Sequence, residues 1–343
     1  MIFNKNKIFV IAEIGINHNG NMSIAKKMIK QAKLAGADAV KFQSYNTKLL
    51  LQKNAEKMKY QQINDNTKET QYEMLKRSEL DSIQHIKLIK ECKKNNILFI
   101  STPYDIESAK FLIKNNIKII KIASTDANNL IFIRELINKK VNLIISTGVS
   151  SINELDKIYL DKKIKNQIKK INLLHCVSFY PAPLDELNLA SINFLKNRYS
   201  VNVGFSDHSL SLLSGALAVM SGAKIIEKHF TYNKNAKGPD HKASLSFNEL
   251  SEYIRNIRIA EKTIGVDKKI ISKSEKEIKK SMQKSIVAAR DIMKNSILKL
   301  SDITTMRPGN GMAPYEVDNI IGKKVITNIK KNSQIKKNYF KYK

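Results

Sequence analysis

Eight short apolar runs, each followed by a segment of helical period, constrain this chain more than any other feature of its sequence. The runs are Ile8 to Ala12, Ala39 to Gln43, Ile97 to Ser101, Ile117 to Ile122, Leu143 to Ser146, Ile171 to His175, Val201 to Phe205 and Lys224 to Glu227. Each is almost wholly apolar, as a parallel strand covered on both faces must be. Between them, segments such as Ser23 to Ala35, Asp105 to Lys114, Ile152 to Asp161 and Phe247 to Ile264 place apolar residues three and four apart, the spacing of a helix with one buried stripe. Alternating strands and helices imply a parallel sheet with crossover helices, and eight such units predict a closed α/β barrel of the (β/α)8 TIM type.

Such a barrel takes roughly 250 residues, so 343 residues leave room for an appendage. The expected division is a barrel over 1–265, a basic linker with some helix over 266–284, and a small β-rich module over 285–343. Strands around Ser285 to Ala289 and Lys324 to Ile329 flank the turn-rich Arg307-Pro308-Gly309-Asn310-Gly311. One connection, about Ser44 to Glu79, is too long for a simple turn and carries Tyr60, Gln61, Gln62, Gln71 and Tyr72. It reads as a lid.

Active sites of such barrels lie on the loops that follow the strands. Glu13, Lys41, Gln43, Thr102, Ser124, Asp126, Thr147, Ser178, Asp207 and His229 all fall at or just past a predicted strand end. Two adjacent strands finish in Ser206-Asp207-His208 and Glu227-Lys228-His229, aiming both imidazoles into one mouth. A divalent ion such as Mn2+ suits two neutral imidazoles with oxygen ligands, and Zn2+ and Fe2+ are rivals. Two histidines that only orient their neighbours are the alternative. Lys41, Lys121 with Ser124, and Ser146-Thr147-Gly148 supply the converging cations and hydroxyls that a phosphate needs. Both lysines lie inside apolar strands, where an uncompensated ammonium would be costly. Glu13, Asp126 and Asp240 could grip a sugar or carbonyl. His18 is divided between the site and a capping turn in Asn17-His18-Asn19-Gly20, and Tyr180 between the site and the core.

The net charge of +29, from 60 Lys and Arg against 31 Asp and Glu, invites a nucleic-acid reading. The lysines are spread over nearly every helix face without clustered aromatics, which argues against one. No apolar run reaches the roughly 18 residues of a membrane span. The N-terminus lacks the pattern of a signal peptide, so the cytoplasm is the expected location. Cys92 and Cys176 stand alone, far apart, and imply buried thiols.

Together the blocks resemble the sialic acid synthase family of N-acetylneuraminate, legionaminic and pseudaminic acid synthases. The resemblance covers nearly the whole chain. It rests on Ala12-Glu13-Ile14-Gly15-Ile16-Asn17-His18-Asn19-Gly20, Lys41-Phe42-Gln43, Ser101-Thr102-Pro103, Ser146-Thr147-Gly148, Leu174-His175-Cys176, Tyr180-Pro181, Ser206-Asp207-His208, Glu227-Lys228-His229-Phe230, Gly238-Pro239-Asp240-His241 and Arg307-Pro308-Gly309-Asn310-Gly311. It implies a barrel followed by an antifreeze-like (SAF) module, a homodimer in which that module covers the partner's barrel, and condensation of phosphoenolpyruvate with an N-acylated hexosamine. His208 and His229 match the ligands of a divalent metal, Mn2+ before Mg2+. Lys41, Lys121, Ser124, Ser146, Ser178 and Ser206 match positions at the phosphoenolpyruvate, and Gln43 a substrate-binding position. Glu13, Asp126, Tyr180, Asp240 and Arg307 match positions around the sugar, with Glu13, Asp126 and His229 nearest the chemistry.

The chain departs from the family pattern in Lys121-Ile122-Ala123-Ser124-Thr125-Asp126, where Lys-Ile-Pro-Ser-Gly-Glu is usual, and in Ser178 for the commoner Asn or Thr. The Glu13 to Gly20 block and Gly238-Pro239-Asp240-His241-Lys242-Ala243-Ser244 resemble the neuraminate and legionaminate branches more than the pseudaminate branch, so N-acetylmannosamine and 2,4-diacetamido-2,4,6-trideoxymannose both stand as expected sugars. A heptulosonate-type synthase would need a second phosphate site that no motif supplies. An inactive carbohydrate-binding barrel would have no use for the metal and phosphate blocks.

Overall fold

The structure is a computed structural model that describes residues 7–64 and 68–340. It divides into two compact units, Met1–Gly265 and Val266–Lys343. In the first, eight parallel strands close into a barrel in chain order. They are β1 (Phe9–Gly15), β2 (Ala39–Ser44), β3 (Leu98–Pro103), β4 (Ile119–Ile122), β5 (Asn142–Ser146), β6 (Ile171–Cys176), β7 (Asn202–Asp207) and β8 (Ile225–His229). All eight predicted strands are present. Six run one to three residues further than their apolar stretches, because polar residues such as Glu13, Asp207, Lys228 and His229 stay within strand geometry at the C-terminal ends.

Around the barrel lie α1 (Met22–Leu34), α2 (Thr47–Leu50), α3 (Lys59–Asn64), α4 (Gln71–Ser78), α5 (Ser82–Lys94), α6 (Ile106–Lys114), α7 (Leu130–Ile137), α8 (Ile152–Tyr159), α9 (Lys162–Lys165), α10 (Ser191–Tyr199), α11 (Ser214–Met220) and α12 (Phe247–Thr263). Their starts are written in the sequence. Asn21, Asp81, Asp105 and Ser151 cap α1, α5, α6 and α8 by accepting backbone N–H bonds that the first turn leaves unmade. The long connection after β2 holds α2, α3 and α4, three short helices where the sequence suggested a polar lid.

Strand residues alternate between two cores. Val10, Val40, Phe42, Ile120, Ile145, Leu173, Phe205 and Ile226 face the helices. Phe9, Ile11, Ala39, Ile100, Ile119, Ile144, Leu174 and Ile225 plug the lumen. Two residues beyond several of these lumen positions, on the same inner face, come Glu13, Lys41, Thr102, Lys121, Ser146, Cys176 and Glu227. The apolar plug is therefore the floor beneath a polar layer.

The second unit opens with α13 (Lys273–Met282), followed by β9 (Ser285–Ala288) and β10 (Ile303–Met306), which pair antiparallel. Its core gathers Ile286, Ala288, Ile292, Leu298, Ile320, Val325, Ile329, Ile335 and Phe340. The expected strand over Lys324 to Ile329 is instead a set of isolated bridges, with Lys324, Val325 and Ile329 each meeting a different segment. The basic stretch after Val266 is tied to this unit: Gly309 N donates to Lys280 O at 2.7 Å and Arg307 Nε to Met282 O at 2.9 Å. No helix among the described residues is long and apolar enough to cross a membrane.

Candidate active site

The C-terminal mouth of the barrel holds a cavity of about 450 Å³. Glu13, Lys41, Gln43, Lys121, Ser124, Asp126, Ser146, Ser178, Tyr180, Ser206, His208, His229 and Asp240 all line it. These are all thirteen barrel residues that the family resemblance assigns to the site; of the other strand-end groups Thr102 lines the cavity too, whereas Thr147 and Asp207 do not. Arg307 lies in the second unit, exposed on the turn next to β10.

The floor is electrostatic. Lys41 Nζ stands 2.8 Å from Glu13 Oε2 and 3.8 Å from Glu227 Oε1, and donates to Thr102 Oγ1 at 3.1 Å. Lys121 Nζ donates to Ser146 Oγ at 2.6 Å and to Ile122 O at 3.0 Å. Ser206 Oγ donates to Glu227 Oε1 at 2.9 Å. All these ionisable side chains are buried. Burial opposes the charge of Lys41, but the Glu13 and Glu227 carboxylates hold its pKa above the ordinary value. Lys121 has less compensation, and burial depresses it. Glu227, despite burial, is held below the carboxylate range by Lys121 and Lys41. Burial raises Glu13 to about 7, with Lys41 opposing the shift and Glu227 adding to it. The layer thus offers two ammonium groups from different strands to an anion.

Close backbone approach shapes one wall. A Cβ on Gly148 would sit 2.2 Å from Ser178 Oγ and 2.9 Å from Ser124 Oγ, so only glycine lets these hydroxyls converge. Ser124 Oγ also meets Cys176 Sγ at 3.2 Å. Asp126 sits on the turn after β4, where its Oδ1 accepts from Asn129 Nδ2 at 3.0 Å.

Above the floor, His208 and His229 lie with ring centroids 5.6 Å apart. The Val177 carbonyl can only accept, so His208 Nδ1 is the donor in their 2.6 Å bond. Burial lowers the His208 pKa to about 4 and holds that of His229 well below the ordinary histidine value. Both rings are therefore neutral at pH 7, and the second ring nitrogen of His208 carries a lone pair toward Tyr180 OH, 3.1 Å away. His229 Nδ1 and Glu227 Oε2 are buried with no hydrogen-bond partner. Two neutral imidazoles, one of them oriented by a carbonyl, suit a divalent cation. No group of three His, Cys, Asp or Glu among the described residues is arranged to hold a metal. An ion here would take its remaining ligands from water and substrate.

Tyr180 stacks on His208 at 4.1 Å, and Tyr60 of α3 stacks on Tyr180 at 4.9 Å. The inserted helices thus bear on the mouth. The inserted segment also contributes Leu50, Leu51, Met58 and Leu75, an apolar part of the cavity wall. Asp240 also lines the cavity, its carboxyl raised to about 6 by burial, with Lys41 opposing the shift.

Three sequence assignments need correction or completion. His18 belongs to the turn: its Nδ1 accepts from Gly20 N at 3.0 Å, and it does not line the cavity. Asp207, counted among the strand-end groups of the mouth, faces outward to α11 and α12, because it alternates with Ser206 and His208. Glu227 and Tyr104 line the cavity without having been selected as site residues. Glu227 could have been found from the same alternation, since it shares a face with His229 two residues on. Tyr104 gave no such signal.

Known proteins share both units. The NeuB family profile matches residues 28–269, and the SAF domain profile matches residues 283–341. The N,N'-diacetyllegionaminic acid synthase of Campylobacter jejuni is 40% identical over 332 residues, covering 96% of this chain and 99% of the relative. That of Legionella pneumophila is 39% identical, covering 94% and 91%. The crystal structure of an N-acetylneuraminic acid synthetase from Leptospira borgpetersenii, in complex with citrate, superimposes with a TM-score of 0.70 at 32% identity, over 79% of this chain and 90% of that one. The barrel, the composition of its mouth and these matches place the chain in the NeuB family, with a SAF domain as its second unit.

Proposed function

We propose that this chain is a nonulosonic acid synthase that condenses phosphoenolpyruvate with an N-acylated hexosamine and releases phosphate. The observation that carries the reading is the pairing, in one cavity, of a two-lysine floor with two neutral imidazoles above it. Phosphoenolpyruvate carries a phosphate and a carboxylate, and Lys41, Lys121, Ser124, Ser146, Ser178 and Ser206 supply cations and hydroxyls from five strands or their following loops. Gln43 lines the same wall.

A divalent ion held by His208 and His229, Mn2+ or Mg2+, would supply Lewis-acid polarisation of the open-chain sugar aldehyde. The residues do the rest. The floor fixes phosphoenolpyruvate so that its C3 faces the aldehyde carbon; the new C–C bond puts the carbonyl pair on the aldehyde oxygen, which takes up a proton, and leaves positive charge at C2. Glu13 and Glu227 lie beside that developing cation and stabilise it. A carboxylate, Glu13 or Asp126, takes a proton from the water that adds to C2. The tetrahedral carbon then expels phosphate with the bridging oxygen, and the lysines receive the anion. Asp126 is one methylene shorter than the family's glutamate, so Glu13, with a pKa near 7, is the better base.

The apolar wall of Leu50, Leu51, Met58 and Leu75 favours a sugar with a deoxygenated end, and the two legionaminic acid synthases agree with it. The sugar assigned is therefore 2,4-diacetamido-2,4,6-trideoxymannose, with N-acetylmannosamine as the weaker substrate. The proposal includes cytoplasmic action by a homodimer in which the SAF domain, carrying the exposed Arg307, caps the partner's mouth. Phosphate release measured with each sugar, at equal Mn2+ and phosphoenolpyruvate, tests the reading. A higher kcat/KM for the trideoxy sugar is expected; the reverse order would assign N-acetylmannosamine, and release with neither would overturn the function.

A further inference from the structure

The charged residues between the paired site residues point the other way. In β7, Ser206 faces the cavity, as does His208 just past the strand, while Asp207 faces out. In β8, Glu227 and His229 face the cavity while Lys228 faces out. Asp207 and Lys228 are register partners across the two strands, and both side chains are fully buried between the barrel and α11 and α12. Lys228 Nζ stands 2.9 Å from Asp207 Oδ2.

Every polar atom of this pair is used. Asp207 Oδ1 accepts from Ser209 N at 2.9 Å and from Ser209 Oγ at 2.7 Å. Asp207 Oδ2 accepts from Tyr253 OH at 2.8 Å and from Ser214 Oγ. Lys228 Nζ donates to Ser209 O and lies 5.1 Å from the centre of the Tyr253 ring. Helix α11 makes room for this, since a Cβ on Gly215 would stand 2.5 Å from Tyr253 Cζ and its oxygen. The result is specific in its target. Asp207 holds the N–H and Lys228 the C=O of Ser209, the residue that follows His208. Asp207 itself precedes His208, so the backbone is fixed on both sides of that imidazole. Lys228 is the residue immediately before His229.

We infer that the buried Asp207–Lys228 pair is a positioning device that sets the separation and orientation of the His208 and His229 rings in the mouth. Neither residue enters the cavity. Stability alone is a poor reason for a buried ion pair, because apolar substitutes of similar volume often serve the fold as well. The pair instead fixes two adjacent strand ends, and one backbone turn, at the point where two imidazoles must share a cation. Groups hydrogen-bonded to a ligand commonly change metal affinity about 10- to 100-fold when lost, and this pair acts on both imidazoles through the backbone that carries them.

The inference rests on the proposed metal role of the histidines, and its test separates the two. The full chain is prepared with 13C-labelled histidine rings, as wild type and as the double variant Asp207→Asn/Lys228→Met, which removes both charges together. In the metal-free protein the His208 and His229 ring resonances are expected to shift or broaden, while those of His18, His85, His175 and His241 hold. Mn2+ alone, titrated and followed by electron paramagnetic resonance, is expected to bind about 10- to 100-fold more weakly to the variant. A folded variant with all six ring resonances unchanged would overturn the inference, as would wild-type Mn2+ affinity. If wild type itself binds no Mn2+, the metal reading falls and the ring resonances alone decide on positioning. Should the double variant fail to fold, Asp207→Asn alone keeps the shape of the network. A shift confined to His208 and His229 then supports the inference, and a lower melting temperature with unmoved resonances overturns it.

Discussion

Two buried charge clusters stand back to back on β7 and β8, and they differ in one respect. The outer one, Asp207 with Lys228, Ser209, Ser214 and Tyr253, is closed: each carboxylate oxygen accepts at least two hydrogen bonds. The inner one is open. Glu227 Oε2 and His229 Nδ1 are buried without hydrogen-bond partners, and Glu13 Oε2 is ion-paired with Lys41 Nζ at 2.8 Å. Buried polar groups are ordinarily satisfied, and native exceptions mark sites built for something else. The same two strands thus carry a finished network that holds geometry and an unfinished one that receives ligands.

That contrast can be broken by substitution, and the largest effect should come from the open side. His229→Ala is expected to abolish phosphate release while the melting curve is kept; a substantial loss of thermal stability would return His229 to a structural role. Next is the closed side. Lys228→Met alone leaves the Asp207 carboxylate buried and unpaired, and should cost about 3–5 kcal/mol in urea unfolding. Lys121→Met, on the open side, should cost less than half of that while weakening phosphoenolpyruvate binding in calorimetry. Equal losses of stability from the two lysines would erase the distinction.

Smaller effects sharpen it. Tyr60 lines the mouth and stacks on Tyr180, so Tyr60→Ala should raise KM for the sugar about two- to tenfold, the worth of one aromatic pair, with the KM for phosphoenolpyruvate unmoved. Asp240 titrates near 6 when folded and near 3.8 when unfolded, so its burial costs nothing below pH 3.8 and destabilises increasingly as pH rises to about 6. Asp240→Asn should therefore flatten the decline in stability between pH 4 and 6, read from urea midpoints.

The barrel was legible because eight apolar runs at regular spacing admit few alternatives, and the polar residues after them marked the mouth. Side-chain direction was less legible. Strand-end polarity alone put Asp207 with the site, although period-two alternation from His208 assigns it to the opposite face. Glu227 is not legible as a site residue from its motif, since a carboxylate next to a lysine and a histidine reads as an accessory until the register with Ser206 is known. The helices inserted after β2 escaped because short, polar, amphipathic turns carry little periodic signal. The strand expected over Lys324 to Ile329 failed for a similar reason: β-branched composition cannot tell a ladder from bridges to three different segments.

Phosphoenolpyruvate labelled with oxygen-18 in the C–O–P bridge reads the central claim most directly, because it asks whether the open cluster joins carbon to carbon and expels phosphate from C2. Mass spectrometry of the released phosphate, with Mn2+ and 2,4-diacetamido-2,4,6-trideoxymannose present, should find the label in phosphate, and no release when the sugar is omitted. Unlabelled phosphate with the heavy oxygen retained in the sugar product, or labelled phosphate formed without sugar, would contradict it.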